Sequence, residues 1–311
     1  MPKADDFEGS ESYIKYGFSI IRNALSHDEV LQVRKLLDDL FKKGPYINRR
    51  ICCLDEVFKH PTLYKNIFRE NIVKGLKECL GKDLTFISDF HVHHNAYVIP
   101  GWHRDCGSES GNAYLYEKNY KFAKCGIFLQ DYDNGWGGSI YAKPESHLAF
   151  LTSNILARYF LKALTYFQIK FNLNSFVIPA RAGDLVVFDS RLYHQSCEPS
   201  PANMSHFKKI GTGFYSIPEN HTKYVIYWDS CHSDMVNDHF ENLLKRANSE
   251  KLNSTGKPGE DVFFSRNLSY YYPDDYPLEI IKLVKDLDIK IPSLEKKGCD
   301  NLKRKISPAS D

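Results

Sequence analysis

The chain has 311 residues, with 41 Lys+Arg against 39 Asp+Glu, and the resulting net charge of +2 excludes the electrostatic excess of a nucleic-acid or anionic-membrane binder. At 42% hydrophobic and 14% aromatic residues, including 20 Tyr and 20 Phe, the composition excludes disorder over most of the length and predicts a packed globular protein with strands. No apolar run reaches the roughly 18 residues of a membrane span, Met1 to Asp6 lacks a hydrophobic signal core, and the expectation is a soluble cytoplasmic protein.

Tyr16 to Arg22 reads as a short strand after a loose, polar start over residues 1–11. Ser26 followed by Glu29 is a capping box, opening a helix whose Val30, Val33, Leu37 and Leu40 recur at helical spacing until Gly44-Pro45 stops it. Residues 61–80 read as a second helix. The period then changes: 84–88 and 90–99 read as strands, the second carrying His91, His93, Asn95 and Tyr97 on one face. That stripe is read as the lining of a cavity, with a separate histidine metal site as its rival. Residues 108–120 suggest a loop over a site, 124–131 an apolar strand, and 133–138 a turn. An inserted helix is expected over 152–170, then short strands over 176–179, 184–188, 209–215 and 223–228. Helices follow over 233–247 and from Pro277, separated by the polar linker 248–260 and the tyrosine-rich run 268–276; the tail 296–311 is expected to be disordered. Many short strands with Gly/Pro turns place the chain in the α+β class, with a sandwich or double-sheet barrel and helices outside.

The chemistry concentrates in Pro100-Gly101-Trp102-His103-Arg104-Asp105. In an extended segment i and i+2 share a face, so His103 and Asp105 can grip one ion from one side. His194, in a strand-like run after the turn at Ala182-Gly183-Asp184, offers the third ligand. Two His and a carboxylate form the facial set that leaves open positions on Fe(II). Cys106 and Cys197, close in sequence to these ligands, read as small buried hydrophobes; none of the eight cysteines has the CxxC spacing of a zinc knuckle or redox dithiol.

Four segments in order, 16–26, 100–105, 134–147 and 182–196, resemble the phytanoyl-CoA dioxygenase family of Fe(II)- and 2-oxoglutarate-dependent oxygenases. Glu145 stands where that family usually has Gly. The resemblance implies a double-stranded β-helix (jelly-roll, cupin-like) core, a metal held by His103, Asp105 and His194, and use of 2-oxoglutarate and O2, with succinate and CO2 released as substrate is hydroxylated. The family's Arg for the remote carboxylate of 2-oxoglutarate is missing: position 205 is Ser. Lys209 is the expected substitute, ahead of Lys208, because Gly211 supplies the small residue two positions on. Ser196 and Tyr97 are implied to hydrogen-bond the cosubstrate.

These readings divide the chain into an oxygenase domain over 1–230 and a helical or irregular extension over 231–311. They expect a monomer or homodimer acting on a small-molecule, glycan or lipid-linked substrate. A jelly-roll binding protein without catalysis is the rival. A zinc hydrolase with the same ligands is a third reading, which lacks a glutamate placed as general base.

Overall fold

A computed structural model describes residues 7–43, 50–51, 57–94, 96–98, 101–106, 113–117, 119–132, 135–197, 199–211, 214–216, 218, 221, 223–236 and 276–291. The expectations for the stop at 44–45, residues 108–112 and 118 of the loop 108–120, the helix beyond 236, the linker, the run 268–275 and the tail 296–311 fall outside these residues.

The chain order is α1 (Gly9–Tyr16), β1 (Phe18–Ile21), α2 (His27–Lys43), β2 (Arg50–Ile51), α3 (Pro61–Ile67), α4 (Glu70–Leu80), β3 (Leu84–His94), β4 (Ala96–Val98) and β5 (Phe122–Phe128). Then follow β6 (Ile140–Ala142), α5 (Leu148–Leu151), α6 (Ile155–Lys170), β7 (Phe176–Val177), β8 (Leu185–Asp189), β9 (His194–Ser196) and α7 (Pro201–Met204). The described part ends with β10 (Lys208–Gly211), β11 (Phe214–Ser216), β12 (Tyr224–His232) and α8 (Leu278–Asp286).

A six-stranded sheet, ordered β1-β8-β5-β12-β3-β2, is the backbone of the fold, and its paired strands run antiparallel. Two three-stranded sheets, β10-β11-β4 and β7-β6-β9, complete the β structure among the described residues. The large sheet is buried on both faces, which explains the uninterrupted apolar run Leu185-Val186-Val187-Phe188. Successive side chains on a strand point to opposite sides. Leu185 and Val187 therefore enter the core beneath the helices, with Val33, Leu37, Ile72, Leu76 and Trp228. Val186 and Phe188 enter the core on the other side, with Phe18, Phe128, Ile140 and Leu192.

The capping box forms as expected. The Ser26 backbone N–H donates to Glu29 Oε2 at 2.7 Å, and the Glu29 N–H donates to Ser26 Oγ at 3.4 Å. Glu29 also accepts from Arg69 Nη1 at 2.9 Å, and this contact, ahead of the cap itself, draws its carboxyl down to about 2.

Several elements differ from expectation. Residues 9–16 form a helix despite their polar composition, because Tyr13 is buried in the helical-side core and Gly17, at φ +83°, ends the helix in the left-handed region. A Cβ on Gly17 would lie 2.6 Å from His147 Nδ1. The 61–80 stretch is two helices, broken where Phe68 turns in against Phe86, ring centroids 4.6 Å apart, and Arg69 is extended. The strand from Leu84 runs unbroken to His94. Residues 113–116 form a 3-10 turn instead of open loop, with Leu115 and Tyr120 in a third core cluster. β12 extends to His232 because β3 and β5 pair with it along both edges.

Candidate metal centre

Residues 101–106 and the turn that precedes β9 are stitched together by backbone alone. The His103 N–H donates to the His194 carbonyl at 3.0 Å, and the His194 N–H returns to the His103 carbonyl at 2.9 Å. This antiparallel bridge places the two imidazoles side by side, ring centroids 4.3 Å apart. A further bond, Cys106 N–H to the Ser190 carbonyl at 3.0 Å, holds the far end of the segment.

Alternation along 101–106 sorts the side chains as the spacing predicts. His103 and Asp105 face His194: His103 Nε2 lies 3.7 Å from Asp105 Oδ1, and His194 Nε2 lies 3.6 Å from Asp105 Oδ2. Trp102 and Arg104 lie elsewhere, Trp102 under the Lys143 ammonium at 4.3 Å, and Arg104 between the rings of Phe150 and Tyr193.

The remaining ring nitrogens fix the tautomers. His103 Nδ1 is 2.8 Å from the Gly101 carbonyl and His194 Nδ1 is 3.1 Å from the Leu192 carbonyl. A carbonyl only accepts, so each Nδ1 carries the proton and each Nε2 offers a lone pair toward Asp105. This is the outer support that metal-bound histidines require. Burial pushes His194 down to about 4 against the opposing pull of Asp105, so its imidazole is neutral and ready to ligate at pH 7. One ligand atom from each of His103, Asp105 and His194 lies within 4.8 Å of the others, and no other such cluster of three occurs among the described residues. The donor set, two imidazoles and one carboxylate, fits a ferrous ion and leaves coordination positions free.

The turn carrying His194 is braced by charge. Arg191 and Asp189 expose 1% and 2% of their surface and form a two-pronged pair, Nε to Oδ1 at 2.9 Å and Nη2 to Oδ2 at 2.6 Å. Asp189 Oδ1 also accepts the Arg191 backbone N–H at 2.8 Å. The guanidinium donates onward to the Leu115 carbonyl at 3.1 Å and lies over the Tyr120 ring at 4.1 Å. The Tyr120 hydroxyl hydrogen-bonds Ser190. Sequence reasoning took Asp189 and Arg191 only as part of the distal-His segment; an acid and a base two residues apart directly after an apolar run was the available signal.

The other expected site residues are placed by register. Lys209 pairs with Tyr215, and Tyr215 with Tyr97, so Lys209 and Tyr97 share one line across the β10-β11-β4 sheet. Lys208 falls on the neighbouring line, opposite Ser216. Ser196 ends β9 opposite Ile140. On β3, His93 is buried with its ring edge-on to Tyr227 and belongs to no metal-ligand cluster among the described residues. Cys106 and Cys197 are buried, and burial raises both thiols to about 12, in keeping with small apolar side chains.

Glu145 has φ +67°, in the left-handed region. That region favours Gly, so the Glu145 side chain is carried at a backbone cost.

No family model matches the sequence, and no curated protein matches it. The structure is similar to that of the epimerase SnoN in complex with Fe3+, alpha ketoglutarate and nogalamycin RO, at 13% identity and TM-score 0.50, over 74% of this chain and 84% of that one. It is also similar to EctD from S. alaskensis with 2-oxoglutarate and 5-hydroxyectoine, at 12% identity and TM-score 0.50, over 72% of this chain and 75% of that one. This chain shares their fold. The fold thus agrees with the expectation of an α+β architecture with antiparallel sheets.

Proposed function

We propose that the protein is an Fe(II)- and 2-oxoglutarate-dependent dioxygenase that hydroxylates a C–H bond of a small-molecule, glycan or lipid-linked substrate, releasing succinate and CO2. The observation that carries this reading is the convergence of His103, Asp105 and His194 with both imidazoles aimed by backbone carbonyls. The ordered segments support a narrower place beside the phytanoyl-CoA dioxygenases, with a double-stranded β-helix core.

Bound iron, with 2-oxoglutarate and O2, supplies the oxidising chemistry. The chain's own part is geometry. His103, Asp105 and His194 would hold the ion, and a set of only three protein ligands would leave it positions for reagents. Lys209 receives the remote carboxylate of 2-oxoglutarate as a point charge, and Ser196 and Tyr97 hydrogen-bond the cosubstrate. The shared register line of Lys209 and Tyr97 favours Lys209 over Lys208 for this role. In this reading 1–230 is the oxygenase unit and 231–311 an extension of it, in a cytoplasmic monomer or homodimer.

Anaerobic titration with Fe(II) and 2-oxoglutarate tests the reading. The visible charge-transfer band should appear in the unaltered chain and be absent in His194→Ala. Lys209→Met should weaken 2-oxoglutarate binding by roughly tenfold or more, the worth of one charge-assisted hydrogen bond, while Lys208→Met should leave it unchanged. Absence of both the band and 2-oxoglutarate binding in the Fe(II)-loaded chain would refute it.

A further inference from the structure

Tyr193, the residue before His194, has both of its backbone groups held by one turn. Where β6 leaves its sheet, the Lys143 N–H donates to the Tyr193 carbonyl at 2.8 Å, continuing by one rung the pairing of Ala142 with His194. The strand then ends, and a side chain supplies the next acceptor: the Tyr193 N–H donates to Ser146 Oγ at 2.9 Å. Ser146 is 6% exposed, so solvent has little access to replace it.

The turn that carries Ser146 is itself fixed. Glu145 holds it in the left-handed region at φ +67°, a conformation that persists only where the surroundings impose it. Its far side is tied to the N-terminal helix. The Glu145 N–H donates to the Tyr16 carbonyl at 3.2 Å, and the buried His147 places Nε2 2.9 Å from the Ile14 carbonyl. Ser146 therefore connects a rigid mount to the strand that presents His194. The next residue along, His194, exchanges both of its backbone hydrogen bonds with His103. Two consecutive residues are thus clamped from different elements, which fixes the direction in which the imidazole leaves the chain. A metal ligand needs that precision, because a small misdirection of one donor weakens the whole set.

We infer that Ser146 is a positioning residue of the metal centre: its hydroxyl oxygen holds the Tyr193 backbone and through it aims His194. The inference rests on the metal-binding reading above.

The test compares Ser146→Ala with Ser12→Ala in the full chain. Ser12 Oγ donates to the Phe18 carbonyl, also at 2.9 Å, and is 3% exposed, so each variant loses one buried hydrogen bond of equal length. Urea midpoints should fall alike. Fe(II) affinity should drop by roughly tenfold in Ser146→Ala and by less than about twofold in Ser12→Ala. In the metal-free chain, the His194 amide should exchange its hydrogen roughly tenfold faster in Ser146→Ala alone, a readout that needs no iron. Ser146→Cys, close in shape with a weaker acceptor, should fall between Ser and Ala in both measurements and carries the test if Ser146→Ala does not fold. Unchanged Fe(II) affinity in Ser146→Ala, equal weakening in Ser12→Ala, or unchanged His194 exchange would overturn the role of Ser146 and leave the metal reading standing. An unaltered chain that binds no Fe(II) would defeat that reading and this inference together.

Discussion

Replacing Asp189 with Asn removes the counter-charge of Arg191 while keeping the side chain's shape. The guanidinium is 1% exposed, and Asp189 accepts three of the hydrogen bonds that Arg191 donates, two from the side chain and one from the backbone. Breaking one half of such a buried pair costs about 3–5 kcal/mol, because the surviving charge stays desolvated. Against a total stability of about 5–15 kcal/mol, this is a large fraction. Urea denaturation followed by circular dichroism should show the midpoint of Asp189→Asn falling accordingly. The double variant Asp189→Asn/Arg191→Met, which leaves no uncompensated charge, should recover more than half of the loss. Because the same turn delivers His194, Fe(II) binding to the folded single variant should weaken by roughly 10- to 100-fold, as for other supports of metal ligands. A loss below about 1 kcal/mol, or a double variant as unstable as the sum of the two singles, would refute the idea that this pair braces the centre.

Two further outcomes follow from the site. His194 resists protonation down to about pH 4 in the folded chain, whereas an unfolded histidine titrates near 6.5. The unfolded chain therefore binds the extra proton between these values, and the metal-free protein should lose about 3 kcal/mol as pH falls through this window. The contribution is fully present above pH 6.5, and urea midpoints at pH 7 and 4.5 measure it; a pH dependence equally steep in His194→Asn would contradict the assignment. Separately, Glu145→Gly should raise stability by about 1 kcal/mol by relieving the left-handed backbone at φ +67°. A lower thermal midpoint in that variant would count against strain at this turn.

The sequence exposed those features that local rules govern. Ser26 and Glu29 declare a helix start because a cap needs only three residues' spacing. His103 and Asp105 declare a shared face because a strand alternates. His194 could be singled out as a third ligand type, and the order of four motifs strengthened the pairing, but nothing local encodes a bridge between residues 103 and 194. What stayed hidden depends on distant contacts. Tyr13 makes a helix of a polar stretch by reaching the core, and Phe68 ends another by turning toward Phe86. The apolar stripe of α6 was plain, yet its outward direction was not, because a periodic pattern reports that a face exists and not which way it points.

Lys143 gives that helix an anchor. Its ammonium is fully enclosed and donates to the Gln168 and Leu173 carbonyls and to Ser175 Oγ, at 3.2, 2.5 and 2.8 Å, in the last turn of α6 and the residues just after it. Lifting that end would strand a charge away from water, a penalty on the order of several kcal/mol. The same ammonium rests on Trp102, whose neighbour is His103. The outer helix is thus latched, not hinged, and its latch rests on the segment that presents the first imidazole.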